Sequence, residues 1–107
     1  MTTITTQKLP SWMVLTEEGA TITLRKPTLI NQIEVNQIRM RAPTVRDVRL
    51  ATQQSGGDDE KRELILFATL IEAGDKDLSA MTIVDYSRIQ ASYFRLVEDD
   101  EPYSRSA

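Results

Sequence analysis

The stretch Ala42-Pro43-Thr44 divides this chain into two halves that obey different periods. Before it, apolar and polar residues alternate; after it, apolar residues recur at the three- and four-residue spacing of a helix. Pro43 has no N–H to give a sheet ladder, so it closes the strand region. Thr44, three residues ahead of Asp47, has the spacing of a capping box that opens a helix. Strands followed by helices make an α+β chain. The expected fold is an N-terminal antiparallel β-hairpin or three-stranded meander followed by three helices. At 107 residues this is a single domain, expected over 11–98, with a flexible arm over 1–10 and an acidic disordered tail over 99–107.

In the strand half, Trp12-Met13-Val14-Leu15-Thr16 reads as a first strand and Glu17-Glu18-Gly19 as a turn. Thr21-Ile22-Thr23-Leu24-Arg25 alternates, with Ile22 and Leu24 on one face, and Lys26-Pro27 is expected to stop it. Asn31-Gln32 reads as a turn, although it lacks the glycine a tight hairpin prefers. Ile33 to Arg41 reads as a long strand. Ile33 and Val35 share one parity, Ile38 and Met40 the other, which places a bulge or twist near Asn36-Gln37. The basic residues Arg39 and Arg41 fall on the outward face.

In the helical half, Val45 to Gln54 forms a short helix with Val48 and Ala51 as its apolar contacts, broken by Ser55-Gly56-Gly57. Asp58 or Asp59 caps the next, with Asp59 and Glu60 in the first turn, where the helix dipole favours acids. This second helix is expected to run to about Ala73, with Gly74 in the left-handed position after its end. Asp75 to Met81 is a connector of about one helical turn. Thr82 and Asp85 form a second box ahead of a helix from Ile83 to about Glu98.

The two long helices carry different messages. On the last one, Ile83, Tyr86, Ile89, Tyr93 and Val97 form an apolar stripe, opposite Asp85, Arg88, Ser92 and Arg95. The stripe is expected to face the core, and its two tyrosines to lie near water, since a buried phenol needs a partner. The preceding helix is apolar nearly all round. Leu64, Ala68 and Ile71 form one side, while Leu66, Leu70 and Ile65 point elsewhere. Such a helix is either covered on most sides by its own chain or offers surface to a partner. The partner-binding residues expected on this reasoning are Ile65, Leu66, Leu70, Tyr86 and Tyr93, with Leu64, Ala68 and Ile71 in the core.

The net charge of −3 hides an asymmetry. Residues 20–55 hold six cations against two carboxylates; residues 56–107 hold six cations against twelve. The halves can attract one another or face different partners. A nucleic-acid partner is unlike this chain, because its few basic residues are interleaved with apolar ones and its isoelectric point is near 4.9. The chain has no cysteine and no histidine, hence no thiolate nucleophile, imidazole base or zinc ligand of either kind. Gly56-Gly57 stands outside any phosphate-loop motif. Asp58-Asp59-Glu60 and Glu98-Asp99-Asp100-Glu101 lack the spaced ligands of a calcium loop and read as caps and solvated ends. No cofactor or metal is expected, and the chain reads as a binding protein rather than an enzyme. The longest apolar stretch, Leu64 to Ile71, falls short of the ~20 residues of a membrane span. The N-terminal residues lack the basic and apolar segments of a leader, so the expected compartment is the cytoplasm.

One series of segments resembles a known family: Leu24-Arg25-Lys26-Pro27, then Ile33, Ile38 and Met40, then Arg41-Ala42-Pro43-Thr44-Val45-Arg46-Asp47-Val48, and finally Leu78-Ser79-Ala80-Met81-Thr82-Ile83-Val84-Asp85-Tyr86. Over residues 20–97 the order of hairpin, Pro-Thr cap, Gly/Asp break, apolar helix and terminal amphipathic helix is similar to the small tail assembly chaperones of contractile-tailed, Mu-like phages. The Trp12 segment and the acidic tail have no counterpart. The resemblance implies a non-enzymatic protein of the host cytoplasm that binds the tape measure protein, a long, apolar helical chain that sets tail length. It would keep that client soluble until tube subunits polymerise around it, and be absent from the finished virion. Self-association is expected from the all-round apolar helix. The alternatives are a nucleic-acid-binding regulator using the basic strand with Arg46 and Arg49, and a structural tail component retained in the particle.

Overall fold

The computed structural model describes residues 9–98, so the arm up to residue 8 and the acidic tail over 99–107 lie outside the described residues. Three strands, β1 (Met13–Thr16), β2 (Gly19–Ile30) and β3 (Ile33–Arg41), form an antiparallel meander in the order β1-β2-β3. Four helices follow: α1 (Val45–Ser55), α2 (Asp59–Ile71), α3 (Asp75–Ser79) and α4 (Ile83–Leu96). The α+β class holds, and α3 is the helical turn expected in the connector. The inward face of the sheet, Ala20, Ile22, Leu24, Ile38 and Met40, packs against Leu66, Phe67 and Leu70 of α2 and Ile89 of α4. Helix α1 joins this core through Ala51 and lies against α2. The Phe67 ring stands at the centre, its centroid 5.8 Å from that of Tyr86 and 5.2 Å from that of Tyr93.

The two turns of the meander are held differently. At the first, Gly19 has φ 157°, and a Cβ there would run into the Met40 carbonyl across the sheet, 2.9 Å from the Arg41 Cα. At the second, Asn31 and Gln32 are both left-handed, with φ 53° and 69°. That is the primed hairpin geometry, adopted without glycine. The strain is offset from outside. Asn31 Nδ2 donates to the Glu72 carbonyl at 2.9 Å, and the Asn31 N–H donates to Asp77 Oδ2 at 3.1 Å. The same Asp77 oxygen takes the Gly74 N–H at the start of α3.

Strand β2 does not stop at Lys26-Pro27. It runs on to Ile30, but its pairing is broken there: Thr23 faces Gln37 and Thr28 faces Val35, so four residues of β2 lie opposite Asn36 alone. The irregularity sits where the parity change in β3 placed it, with the surplus residues on the other strand. Pro27 falls inside the break, where no ladder partner needs its missing N–H.

Helix α4 supplies what the break lacks. Asp85 Oδ1 accepts the Arg25 N–H at 2.7 Å, and Oδ2 accepts the Lys26 N–H at 3.1 Å. One turn on, Arg88 Nη1 donates to the Thr23 carbonyl at 2.7 Å, with its guanidinium 4.9 Å from the centre of the Trp12 ring. This corrects the expected facing of α4 in part, because residues placed opposite the apolar stripe are buried and the ends of the stripe are not. Asp85 is 2% exposed and Ser92 0%, while Ile83 is 79% and Phe94 63% exposed. The buried arc runs through Asp85, Ile89 and Ser92; Ile89, Tyr86 and Tyr93 of the apolar stripe face the core as expected, while Ile83 and Val97 at its two ends are exposed. The second capping box is corrected too. Thr82 Oγ1 accepts the Asp85 N–H, but the Asp85 carboxylate goes to β2 instead of back to Thr82.

The first box is complete. Thr44 Oγ1 accepts the Asp47 N–H at 3.2 Å, and Asp47 Oδ2 accepts the Thr44 N–H at 2.8 Å. Arg41, the last residue of β3, grips the same carboxylate with both terminal nitrogens, at 2.7 and 2.8 Å. Asp47 is thereby held well below the usual carboxylate range, by the Arg41 hydrogen bonds first and the Thr44 bonds after them. Helix α2 starts at its Asp58 cap but ends earlier than expected. Glu72 takes the left-handed position, φ 64°, and Gly74 instead precedes α3 with φ −90°. At this turn the Glu72 carbonyl accepts from the Asn31 side chain.

Asp85→Ala orphans the two β2 N–H groups and is expected to lower the free energy of unfolding by about 1.5–3 kcal/mol. A urea midpoint equal to wild type would show that the break stands without α4. Asp47 gives a pH-dependent outcome. Its folded pKa lies below the ordinary 3.8, so its contribution is full above that value and is lost as pH falls through it towards the folded pKa. The stability gap between wild type and Asp47→Asn should therefore be flat above about pH 5 and shrink in acid. A gap that stays constant down the acid limb of urea titrations would contradict the Arg41–Asp47–Thr44 arrangement.

Candidate partner-binding surface

The inward turn of Asp85 decides what α4 shows to solvent. Its three charged side chains all lie on one half: Asp85 on the β2 break, Arg88 on Thr23 and Trp12, and Arg95, which pairs with Glu98 at 3.0 Å. The other half, from Tyr93 through Ile83 and Phe94 round to Val84, carries no charge. Ile83, Val84 and Phe94 are exposed there, joined by Val97 just past the helix end. The Phe94 ring stands edge-on to Tyr93 with centroids 6.0 Å apart, linking the outer face to the aromatic core. An uncharged helix face with large exposed side chains is the form taken by helix-docking surfaces.

Beside this face runs a groove between the first halves of α2 and α4, about 540 Å³ in volume. Leu64, Ile83 and Tyr86 line it, and Asp59, Glu60 and Glu63 give it an acidic rim. Glu63 is engaged inward, accepting from the Tyr86 hydroxyl at 2.8 Å and from Gln90 Nε2 at 2.9 Å. Burial, and then the adjacent Glu63 carboxylate, pushes the Tyr86 phenol well above its ordinary range. Tyr86 is therefore a neutral donor that fixes α2 to α4 at any physiological pH.

The residues expected to contact a partner do not form one surface. Leu66 and Leu70 are 3% and 2% exposed and belong to the core, which corrects their placement on an outward side. The reason is the number of covering layers: sheet, α4 and α1 together enclose α2 over most of its circumference. Ala68 and Ile71 are buried as expected, while Leu64 is only half-buried and opens onto the groove. Ile65 is half-buried against the core. Tyr86 and Tyr93 are half-buried, packed on Phe67, and border the uncharged face. Sequence reasoning missed Ile83, Val84, Phe94 and Val97 as surface residues. The usable signal was that Asp85, Arg88 and Arg95 cluster on one side of the helix, leaving the other free of charge.

Among the described residues, no group of three or more acidic, histidine or cysteine side chains could hold a metal ion. No helix among them is long and apolar enough to cross a membrane. No curated protein and no solved structure matches the chain significantly. The family model described as "Phage tail assembly chaperone proteins, E, or 41 or 14" matches residues 21–98, from the second residue after the Gly19 turn to just beyond α4. The match takes in the β2 break, the Thr44 box and the uncharged face of α4 together, and the chain belongs to the phage tail assembly chaperone family.

Proposed function

We propose that this chaperone binds the tape measure protein of its phage along the uncharged face of α4, without catalysis, and keeps it soluble in the host cytoplasm until the tail tube forms. The observation that carries the reading is the outward exposure of Ile83 and Phe94 on a half-helix with no charged residue. A long apolar helical client needs such a strip, because burying its side chains against water-free neighbours gives about 25 cal/mol per Å². Arg41, one of the basic residues a nucleic-acid reading would use, is committed to Asp47 instead. Without its client, the same exposed face favours association between copies of the chaperone. The role ends when the tube is built, so the chaperone leaves before the virion is complete.

Co-expression with the tape measure protein tests this. The double variant Ile83→Glu, Phe94→Glu changes two solvent-exposed positions, so stability should move by no more than about 0.5 kcal/mol per site. Capture of the tape measure protein should weaken roughly tenfold or more, and the soluble fraction of that protein should fall with it. A folded double variant that still solubilises the client in full would refute the assignment to α4. Recovery of the chain in purified virions would favour a retained tail component.

A further inference from the structure

We propose that the α2–α4 groove reads the charge of the client, taking a helical segment that carries lysine or arginine beside one end of its apolar stripe. This rests on the seating of the client along α4 proposed above and names the chemistry at one end of it. The groove opens directly onto the uncharged face, because exposed Ile83 belongs to both. The three charged residues that line it, Asp59, Glu60 and Glu63, are all acids. Glu63 is engaged by Tyr86 and Gln90. Asp59 and Glu60 are exposed and make no ion pair or side-chain hydrogen bond among the described residues. The two cations between Glu60 and Glu63 in sequence point elsewhere: Lys61 stands about 100° and Arg62 about 160° from Glu60 around α2, and neither lines the groove.

The helix dipole accounts for acids in the first turn of α2, but not for the sign on the other flank of α4. There Arg25 and Lys26 of β2 border Thr82 and Val84. Their main-chain N–H groups serve Asp85, and their side chains are exposed. The start of α4 is thus flanked by acids on its α2 side and by bases on its β2 side. The outer face from there to Phe94, about 16 Å further along, is uncharged. A client helix with cations on one flank of one end meets opposite charge in one seating. Turned end for end, it carries those cations to the Phe94 end and loses the pairing. Charge complementarity of this kind fixes register and rejects wrong seatings more than it adds affinity. The apolar face of α4 holds the client, and the groove decides which way the client lies.

Synthetic helical peptides of about eighteen residues, long enough to cover α4, test this by fluorescence anisotropy with the full chain. All carry the same leucine stripe and differ in two residues beside one end of it, Lys, Gln or Glu, placed on either flank. An exposed ion pair changes binding by a factor of about 1.5–5, so one of the two lysine peptides should bind about five- to tenfold more tightly than its glutamine counterpart. The preference should fade at high salt. Asp59→Asn with Glu60→Gln should abolish it, and Glu60→Lys should reverse it, with circular dichroism confirming that both variants are folded. Phe94→Ala, remote from the groove, should weaken every peptide and leave the lysine preference in place. If lysine and glutamine peptides bind equally and Phe94→Ala weakens both, the client seat on α4 stands and the charge reading falls. If Phe94→Ala weakens none, the seat on α4 falls and this inference with it. If a glutamate peptide binds tightest, Arg25 and Lys26 set the sign and the groove does not. If Asp59→Asn with Glu60→Gln keeps the lysine preference but changes the sedimentation of the chain alone, the acids serve contacts between copies and the inference fails.

Discussion

The carboxylate of Asp85 is the contact on which the rest of the arrangement depends. Four residues of β2 have one residue of β3 opposite them, so their backbone groups have no regular ladder to join. Leaving such groups unpaired costs about as much as losing a hydrogen bond each. Asp85 takes two of the N–H groups, from residues some sixty positions away in sequence, and Arg88 serves a carbonyl on the same stretch. This fixes the rotation of α4 about its own axis. At 100° per residue, Ile83 and Phe94 stand about 160° and 180° from Asp85. Turning the acid inward therefore turns those two apolar side chains outward. The exposed face is thus a consequence of how the sheet is completed, not a failure of packing.

Much of the fold was legible because its signals are local. Pro43 and Thr44 mark the change from strands to helices, and the Thr44–Asp47 spacing produced a complete box. Gly56 ends α1 in the left-handed region and Asp58 caps α2. Even the irregular pairing left a trace, in the parity change along β3. What sequence could not show depends on long-range partners. In sequence Asp85 reads as half of a capping box, because its real partners are main-chain N–H groups, which have no residue identity. Periodicity also assumes that the apolar stripe is the buried one. On α4 that assumption holds for Ile89, Tyr86 and Tyr93 but not for the ends of the stripe, since Asp85 and Ser92 are buried and Ile83 is not.

The candidate site was less legible than the fold for the same reason. An all-round apolar helix poses a question of counting: how many layers cover it. Sheet, α4 and α1 suffice, so Leu66 and Leu70 are core. That transfers the search for a surface to α4, where the notable property is the absence of charge over half a helix. Tyr86 and Tyr93 mark its inner border, where each ring packs on Phe67.

Buried polar groups and exposed apolar ones stand on opposite sides of one helix here, and the two are coupled. A substitution that made the inner side of α4 apolar, so that it no longer needed the β2 break, would also release the helix to rotate. Ile83 and Phe94 could then be covered, and the surface would disappear. Holding the helix by a carboxylate with two directional hydrogen bonds prevents this, because hydrogen bonds fix orientation where apolar packing alone tolerates rearrangement. The expense of burying Asp85 is thus the condition for presenting an uncharged face steadily.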